Sequence, residues 1–217
     1  HGGGGGGFEN NWAVGRFFFE GVGTRTASIH NRPAYNSEVH AAGDAGLAPL
    51  TNAYIDAQLA DTILIVGANP YETQTNYFLN HMIPNLNGDS LDLKRTTFPG
   101  EAAATGRMII IDPRRTISVT TAEAAGGKEN VLHLQIEPGT DIAVMNAIAR
   151  TVLERRWHDV AFIRERTEWQ TFEAYQRSSL GSDRDLETVV AEAAALAGIL
   201  EGDIHKAAEW IAEPKSG

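Results

Sequence analysis

Cysteine is absent from this sequence of 217 residues. Without a thiol, the chain can form no disulfide, supply no thiolate nucleophile and hold neither cysteine-ligated zinc nor an iron–sulfur cluster. The absence excludes these chemistries for this stretch of chain, and it leaves the redox compartment of the protein undetermined.

Three further absences narrow the class of protein. No apolar run approaches the roughly 20 residues that a membrane-spanning helix needs. The net charge is −10 and no basic patch is present, which argues against binding to nucleic acid or to anionic membranes. The turns after the predicted strands contain neither the G-x-G-x-x-G motif of dinucleotide-binding proteins nor a P-loop, and no repeat recurs at a fixed period. With 42% hydrophobic and 21% charged residues, the composition is that of an ordinary globular protein.

The chain starts with His1 rather than methionine, and its first residues lack the charged and apolar regions of a signal peptide. We therefore expect an internal part of a longer protein. Composition and pattern predict three regions: an active-site loop segment with flanking helices over 1–60, a nucleotide-binding α/β region over 61–158, and a helical extension over 159–217.

Three apolar runs predict buried β-strands, over 62–66, 108–111 and 131–136. Runs without polar alternation are typical of a parallel sheet that is covered on both faces. Each run is followed by a polar turn and then by a helical pattern. The sequence therefore predicts an α/β fold with an open, mostly parallel, Rossmann-like sheet, flanking helices and a helical C-terminal part.

Helices and connections fill the rest of the predicted fold. Apolar spacing and capping residues predict helices over 9–20, 36–46, 52–60, 70–82, 159–166, 169–176, 186–197 and 203–212. Another helix follows the third strand, with Thr140 as its N-cap and an apolar face of Ile142, Met145, Ile148 and Val152. Asp203 is the predicted N-cap of the last helix, and His133 is predicted to be a hydrogen-bonded core residue. We also expect a strand over 24–29, buried aromatic side chains in the first helix and a surface insertion over 84–106.

Polar residues follow the first two predicted strands, at the edge where ligands bind in open parallel sheets. Gly67 and Asn69 lie at a helix start, where unpaired N–H groups favour a phosphate. Asp112 follows the second strand, a position where an acidic residue commonly binds ribose hydroxyls. The guanidinium groups of Arg114 and Arg115 suit phosphate oxygens.

The third turn contains Gly139 and Thr140 and ends at Asp141. A carboxylate at this point can accept two N–H bonds from the edge of a guanine. Three such turns at one edge of a sheet predict a site for a nucleotide-bearing ligand. Ordinary turn and capping chemistry explains the same residues, and the sequence leaves this alternative open.

The polar loop over 28–40 is the segment richest in groups that can hold a small polar substrate. It contains two imidazoles, a guanidinium, a carboxylate and a phenol. Arg32 precedes Pro33, which disfavours the helical region for Arg32, so the polar groups begin in a loop and run into a helix near Ser37. A polar loop held by a rigid scaffold is a common place for a site, although a solvated surface turn has the same composition.

The three turns together resemble those of the molybdopterin oxidoreductases of the dimethyl sulfoxide reductase superfamily. The motifs are Gly67-Ala68-Asn69-Pro70, Asp112-Pro113-Arg114-Arg115 and Pro138-Gly139-Thr140-Asp141, in this order along the chain. The segments over 30–38 and 69–81 are similar to the large subunits of arsenite oxidases within that superfamily. The resemblance covers nearly the whole chain.

This resemblance implies a molybdenum bis(molybdopterin guanine dinucleotide) cofactor, held by the three turns and by Glu72 and Thr73. It also implies an iron–sulfur cluster in the parent chain outside this segment, a Rieske-type small subunit as partner and a downstream electron acceptor. The implied substrate is arsenite, and the implied location is the periplasm.

Three residues of the polar loop take roles from the resemblance. Ala34 occupies the position at which most of the superfamily has a molybdenum ligand, and its methyl group has no donor atom, a feature that arsenite oxidases share. His30 and Glu38 match the residues that hydrogen-bond arsenite beside the metal. Because the rest of that pocket lies outside this sequence, we expect the 217 residues alone to be inactive and to fold poorly.

Two other functional interpretations remain open at this stage. The first is a superfamily oxidoreductase that acts on another substrate, such as nitrate or formate. Ala34 and the pair of His30 and Glu38 argue against those substrates. A nucleotide-binding module without redox chemistry is the second alternative. A metal site formed by His30, Glu38 and His40 is disfavoured, because a proline turn lies between these residues and no helical spacing relates them.

Overall fold

A computed structural model of the chain describes residues 8–24, 26 and 53–212. Its contacts divide the chain into two compact units, His1–Asn52 and Ala53–Gly217. The polar loop and the predicted helix over 36–46 lie outside the described residues. Of the predicted strand over 24–29, Thr24 and Thr26 are described and neither is in a strand. The N–H group of Thr26 instead donates to Oγ1 of Thr24 at 3.1 Å, a local bond that competes with strand pairing.

The described part of the first unit is a helix, α1 (Phe8–Arg16), which continues as a π-helical turn, Phe17–Gly21. The predicted helix over 9–20 is therefore confirmed. The expected burial of its aromatic side chains is wrong, since Trp12, Phe17 and Phe19 are each more than half exposed. Consecutive phenylalanines point in different directions around a helix, so a single apolar face cannot collect them all.

Three parallel strands form the sheet of the second unit. They are β1 (Thr62–Val66), β2 (Arg107–Ile111) and β3 (Val131–Leu134), and they pair in this order. Every residue of the central strand β2 is buried, as expected for a continuous apolar run between two layers of helices. The predicted open parallel sheet is confirmed, although β3 ends two residues earlier than the apolar pattern, which extends to Ile136.

Helices connect and cover the strands. Their bounds are α2 (Asp56–Leu59), α3 (Pro70–Thr73), α4 (Thr75–Tyr77), a π-helical turn (Phe78–Met82), α5 (Ile83–Asn87), α6 (Leu91–Thr97), α7 (Ile117–Gly126), α8 (Asp141–Glu154), α9 (Val160–Arg166), α10 (Trp169–Leu180), α11 (Leu186–Ala197) and α12 (Glu201–Ala212). The predicted helix over 70–82 is broken at Gln74, whose φ of −142° is not helical, and it runs on past 82 into α5. Among the described residues, no helix combines the length and apolar character that crossing a membrane requires.

Both faces of the sheet are covered by helices. Ile109 and Ile111 pack on one face with residues of α8, α11 and α12. Met108 and Ile110 pack on the other face with residues of α2, α5, α7 and the second π-helical turn. Because successive strand residues point to opposite faces, one apolar run supplies both cores.

The segment over 84–106 is not the surface insertion that its polar composition predicted. It contains α5 and α6, and Leu86, which is 2% exposed, belongs to the core. The side chains of Asn85 and Lys94 are also buried, and both donate to the carbonyl of Ala60, at 2.7 and 3.1 Å. The prediction is wrong for this part of the segment because the side chains of Asn85 and Lys94 bind buried backbone groups and do not face solvent.

Two details of the predicted capping and packing are also corrected. Ile142 is 76% exposed, and the buried residues of α8 are Val144, Ala147, Ile148, Arg150 and Thr151. The other three residues of the predicted face, Met145, Ile148 and Val152, do pack on the core, so the prediction is wrong only for Ile142. Thr140 occupies the N-cap position, but its hydroxyl donates to the carbonyl of Glu137 at 2.7 Å and does not cap the helix. The last helix begins at Glu201, so Asp203 lies in its first turn.

The remaining C-terminal helices follow their predicted ranges closely. The helix α11 spans 186–197 as predicted. The helix α9 starts after Asp159, whose carboxylate accepts the N–H group of Phe162 at 2.9 Å as an N-cap. The helix α10 continues past its predicted end to Leu180, where Gly181 adopts φ +60° and ends it.

Candidate cofactor site

The carboxyl ends of the three strands are aligned with one another. Val66, Ile111 and Leu134 are register partners across the sheet. The turns after β1 and β2 continue this pairing, because Gly67 donates its N–H to Ile111 at 2.9 Å and Asp112 donates its N–H to Leu134 at 3.2 Å. The prediction that these turns meet at one edge of the sheet is confirmed.

Side chains of β3 and its turn hold the turn after β2. His133 lies in β3, half-buried, and its Nε2 is 3.0 Å from the carbonyl oxygen of Asp112. Since a carbonyl can only accept, this nitrogen carries the proton. Gln135 donates to the carbonyl of Pro113 at 3.1 Å. The predicted hydrogen-bonded role of His133 is confirmed, and its partner turns out to be a predicted cofactor-binding residue.

Asp112 itself is almost fully buried, and its Oδ1 accepts the N–H group of Arg114 at 2.7 Å. This bond between residues two apart shapes the turn. One carboxylate oxygen is therefore engaged in the turn, and the predicted contact of Asp112 with ribose stays a prediction.

The two arginines of this turn differ in their surroundings. Arg115 forms an ion pair with Glu123 of α7, so its guanidinium is tied to the helix that follows. Arg114 is exposed at the carboxyl edge of the sheet. Arg114 is therefore better placed than Arg115 to bind an anionic ligand. The sequence alone did not distinguish the two arginines.

The turn after β1 is held by a residue that the sequence did not single out, Ser118 of α7. Its hydroxyl is 2.6 Å from Oδ1 of Asn69 and accepts the N–H group of Tyr71 at 3.0 Å. Nδ2 of Asn69 in turn donates to Glu72 at 2.7 Å. A serine two residues after a Pro-Arg-Arg-Thr turn carries no distinct sequence signal, and its partners lie 47 and 49 positions away.

The first N–H groups of α3 already have partners within the protein. The N–H groups of Glu72 and Thr73 both donate to the carbonyl of Asn69 at 3.1 Å, and that of Tyr71 donates to Ser118. These three donors at the start of α3 are used within the protein, so they are not unpaired groups for a phosphate. The binding of a phosphate at this turn stays a prediction, and the exposed guanidinium of Arg114 is a second group that suits one.

Gly67 and Gly139 have positive φ angles of +61° and +89°. No atom lies within 4 Å of the position that a Cβ atom would take at either residue. Glycine is therefore required by backbone conformation, and open space lies in front of both turns. Such space at the carboxyl edge suits the close approach of a ligand to the backbone.

Gln135, Ile136 and Glu137 separate the third turn from the end of β3. Both the N–H group and the hydroxyl of Thr140 donate to Glu137, at 3.3 and 2.7 Å. Glu137 in turn donates its N–H to Ala197 at the end of α11. The carboxylate of Asp141 is half-buried at the start of α8. Its binding of a guanine edge stays a prediction.

One buried polar atom at this edge lacks a partner among the described residues. Thr116 occupies the N-cap position of α7 and is 7% exposed, and its hydroxyl makes no hydrogen bond there. An unpaired buried hydroxyl beside Arg115 is a feature that a polar ligand group in this region would relieve.

The predicted substrate residues His30, Ala34 and Glu38 lie outside the described residues. In the part of the chain that the structure covers, no cluster of three or more histidine, aspartate or glutamate side chains has the arrangement of a metal site.

The three-stranded parallel sheet with helices on both faces is an open α/β fold. A comparison with known families is more specific. Residues 9–197 match the model of the molybdopterin oxidoreductase family. The chain belongs to this family.

Individual relatives refine this assignment. The chain is 46% identical over 216 residues to arsenite oxidase subunit AioA of Herminiimonas arsenicoxydans, a match that covers 100% of this chain and 25% of that protein. It is 27% identical over 236 residues to iodate reductase subunit IdrA of Pseudomonas sp. (strain SCT), covering 96% and 24%. Among solved structures, acetylene hydratase from Pelobacter acetylenicus is similar with a TM-score of 0.45 and 17% identity, over 71% of this chain and 17% of that one.

The resemblance to arsenite oxidase large subunits, drawn from the sequence motifs, is confirmed by this similarity. The chain spans about a quarter of the length of the curated relatives that it matches. The activity, substrates and partners of those whole proteins are therefore not carried over directly.

Proposed function

We propose that this chain is part of the catalytic subunit of a molybdenum-dependent enzyme that oxidises arsenite to arsenate. Within it, the chain would contribute part of the substrate pocket and a site for molybdopterin guanine dinucleotide. The observation that carries the proposal is the 46% identity to arsenite oxidase subunit AioA over the whole chain. The alternatives of another substrate, such as nitrate or formate, or of a non-redox nucleotide-binding module, are tested below.

The groups at the carboxyl edge suit the nucleotide part of such a cofactor. Arg114 offers an exposed cation for a phosphate, and Thr116 offers a buried hydroxyl that lacks a partner among the described residues. The carboxylates of Glu72 and Asp141 can accept N–H or O–H groups of a guanine or ribose. The positive φ of Gly67 leaves space for close approach to the backbone. A cation suits the phosphates and the carboxylates suit the base and the sugar, so these groups together complement a guanine nucleotide.

When bound, the molybdenum cofactor would supply the two-electron oxidation and the oxygen transfer that no amino acid side chain can perform. Arsenite near neutral pH is mainly an uncharged trihydroxide, so it needs hydrogen-bond partners more than a counter-ion. His30 and Glu38 can donate, accept and take up the protons that oxidation releases. Ala34 would leave the metal without a protein ligand from this loop and the space beside it open to substrate.

Further parts of the proposal come from the family resemblance alone. They are an iron–sulfur cluster held elsewhere in the parent chain, a Rieske-type small subunit, a downstream electron acceptor and a periplasmic location.

The proposal is tested on the complete protein that contains this chain, expressed with its cofactor pathway. Molybdenum is measured by mass spectrometry and guanine nucleotide by release of GMP. Dye reduction is then followed with arsenite and formate as donors, and dye oxidation with nitrate and iodate as acceptors. The expected result is bound molybdenum and nucleotide with turnover of arsenite.

Two outcomes would overturn the proposal in different ways. A molybdenum-containing protein that turns over formate, nitrate or iodate but not arsenite would be a family member with another substrate. A folded protein that retains neither molybdenum nor guanine nucleotide would not be a molybdenum enzyme.

A further inference from the structure

Ser118 joins the first turn of α7 to the turn after β1. It is fully buried, at 0% exposure, and its hydroxyl contacts Asn69 and the N–H group of Tyr71. Pro70 has no N–H group, so Tyr71 supplies the first backbone donor of α3, a group that has no partner within its own helix. The hydroxyl of Ser118 satisfies this donor from a different helix.

The direction of every bond in this chain of contacts is fixed. A backbone N–H can only donate, so the hydroxyl oxygen of Ser118 accepts from Tyr71 and its single proton points to Oδ1 of Asn69. The Nδ2 group of Asn69 must then face Glu72, whose ionised carboxylate can only accept. A 180° flip of the Asn69 amide would place its oxygen against the carboxylate of Glu72, which leaves two acceptors facing each other with no proton between them.

We propose that Ser118 is a positioning residue of the cofactor site, which acts through Asn69 to fix the carboxylate of Glu72 at the carboxyl edge of the sheet. This inference rests on the proposed function, since Glu72 is held ready for N–H or O–H donors of the nucleotide. Glu72 is exposed and uses one oxygen for Asn69 at 2.7 Å. An exposed carboxylate that is held in place loses less conformational freedom when it binds a ligand.

Removal of the hydroxyl in Ser118→Ala leaves Tyr71 without its acceptor and allows the Asn69 amide to turn. Glu72 then samples several rotamers, and nucleotide retention falls by roughly tenfold, the lower range for a hydrogen bond to a charged group. The matched control is Ser90→Ala. Ser90 is equally buried, at 2% exposure, and donates to Gln58 at 3.3 Å, between α2 and α6.

The experiment uses the complete protein with its cofactor. Molybdenum and released GMP are measured per protein after extended dialysis for wild type, Ser118→Ala, Ser90→Ala, Glu72→Ala and the double variant of Ser118 and Glu72. Thermal unfolding of each sample is recorded alongside. We expect Ser118→Ala and Glu72→Ala to lose cofactor to a similar extent, the double variant to lose little more, and Ser90→Ala to retain it.

Several results would overturn the inference. Equal cofactor retention in Ser118→Ala and Ser90→Ala would assign Ser118 a general structural role while leaving the proposed function intact. Additive losses in the double variant would show that Ser118 does not act through Glu72. Because Glu72 is exposed, Glu72→Ala tests the inference even if Ser118→Ala does not fold, and full retention in it would refute the inference. A wild-type protein without cofactor would refute both proposals.

Discussion

The N–H group of Gly106 donates to two acceptors of Asn85, its backbone carbonyl and its side-chain oxygen. The N–H of Gly106 lies 2.9 Å from the backbone carbonyl of Asn85 and 3.1 Å from its Oδ1. A Cβ atom at Gly106 would lie 2.6 Å from the side-chain amide of Asn85, a distance that real contacts do not reach. The close approach of these residues fixes the segment over 84–106 to the amino end of β2 and explains the glycine.

This contact predicts that Asn85→Ala destabilises the segment locally. The substitution removes the donor to the carbonyls of Ala57 and Ala60 and one of the two acceptors of the Gly106 N–H group. Leaving a buried group unpaired costs about 1–3 kcal/mol. Hydrogen exchange of peptides over 84–106, measured by mass spectrometry in the complete protein, should show faster opening. Asn87→Ala, which removes an exposed amide bonded to Asp89, is the control and should leave exchange unchanged. Slow exchange in both variants would contradict the assigned role.

Arg114→Ala should weaken retention of the guanine nucleotide. A charge-assisted hydrogen bond contributes about 1.5–3 kcal/mol, so the affinity should fall by roughly tenfold or more. GMP released per protein after dialysis provides the measurement, and Arg114→Lys should be intermediate because lysine lacks the planar fork. The control is Arg95→Ala, an exposed arginine of α6 paired with Asp92 at 2.6 Å. Equal nucleotide content in the Arg114 and Arg95 variants would exclude Arg114 from the site.

Glu38→Ala should reduce kcat/KM for arsenite by roughly ten- to hundredfold, the range expected for loss of a charge-assisted hydrogen bond. Molybdenum content should remain at the wild-type level, since Glu38 is proposed to bind substrate and not cofactor. Steady-state dye reduction of the complete protein measures kcat/KM, and metal analysis measures its molybdenum content. Glu101→Ala, an exposed carboxylate before the amino end of β2, serves as the control. Unchanged arsenite kinetics in Glu38→Ala would refute its role.

Asp185 should make the start of α11 sensitive to acid. Hydrogen bonds from the N–H and hydroxyl groups of Thr188, each 3.0 Å long, lower the pKa of this N-cap carboxyl. A lowered pKa in the folded state stabilises the helix start above the ordinary aspartate range, and this contribution is lost as the pH falls below about 4 and through the lowered pKa. Hydrogen exchange of α11 amides, corrected for intrinsic rates, should report the loss.

Two variants isolate the titration of Asp185. Asp185→Ala should exchange faster at neutral pH because the cap is missing. Asp185→Asn keeps an acceptor but cannot titrate, so its protection should not change between pH 6 and the acid range, in contrast to the wild type. Identical acid behaviour of wild type and Asp185→Asn would assign the sensitivity to another group.

The sheet could be predicted from sequence because burial on both faces leaves a strong local signal. Continuous apolar runs indicate β1 and β2 as buried strands. Because parallel strands run in the same direction, their carboxyl ends lie at the same edge of the sheet. The predictions failed where polar side chains serve buried backbone groups. Asn85 and Lys94 lie in a polar stretch that resembles a surface loop. They are buried because their side chains donate to backbone carbonyls that are distant in sequence. Ser118 was missed for the same reason.

The sequence by itself determined the class of fold, the family and the positions of the polar turns. These properties rest on local patterns: apolar runs, glycines that tolerate positive φ, and motifs of a few consecutive residues. Only the tertiary structure decided which turn residues remain available to a ligand. An ion pair with Glu123 engages Arg115, and Ser118, 47 positions away, engages the N–H group of Tyr71, whereas Arg114 and Glu72 are exposed at the edge. Such bonds depend on separation in space, and no local pattern in the chain encodes it.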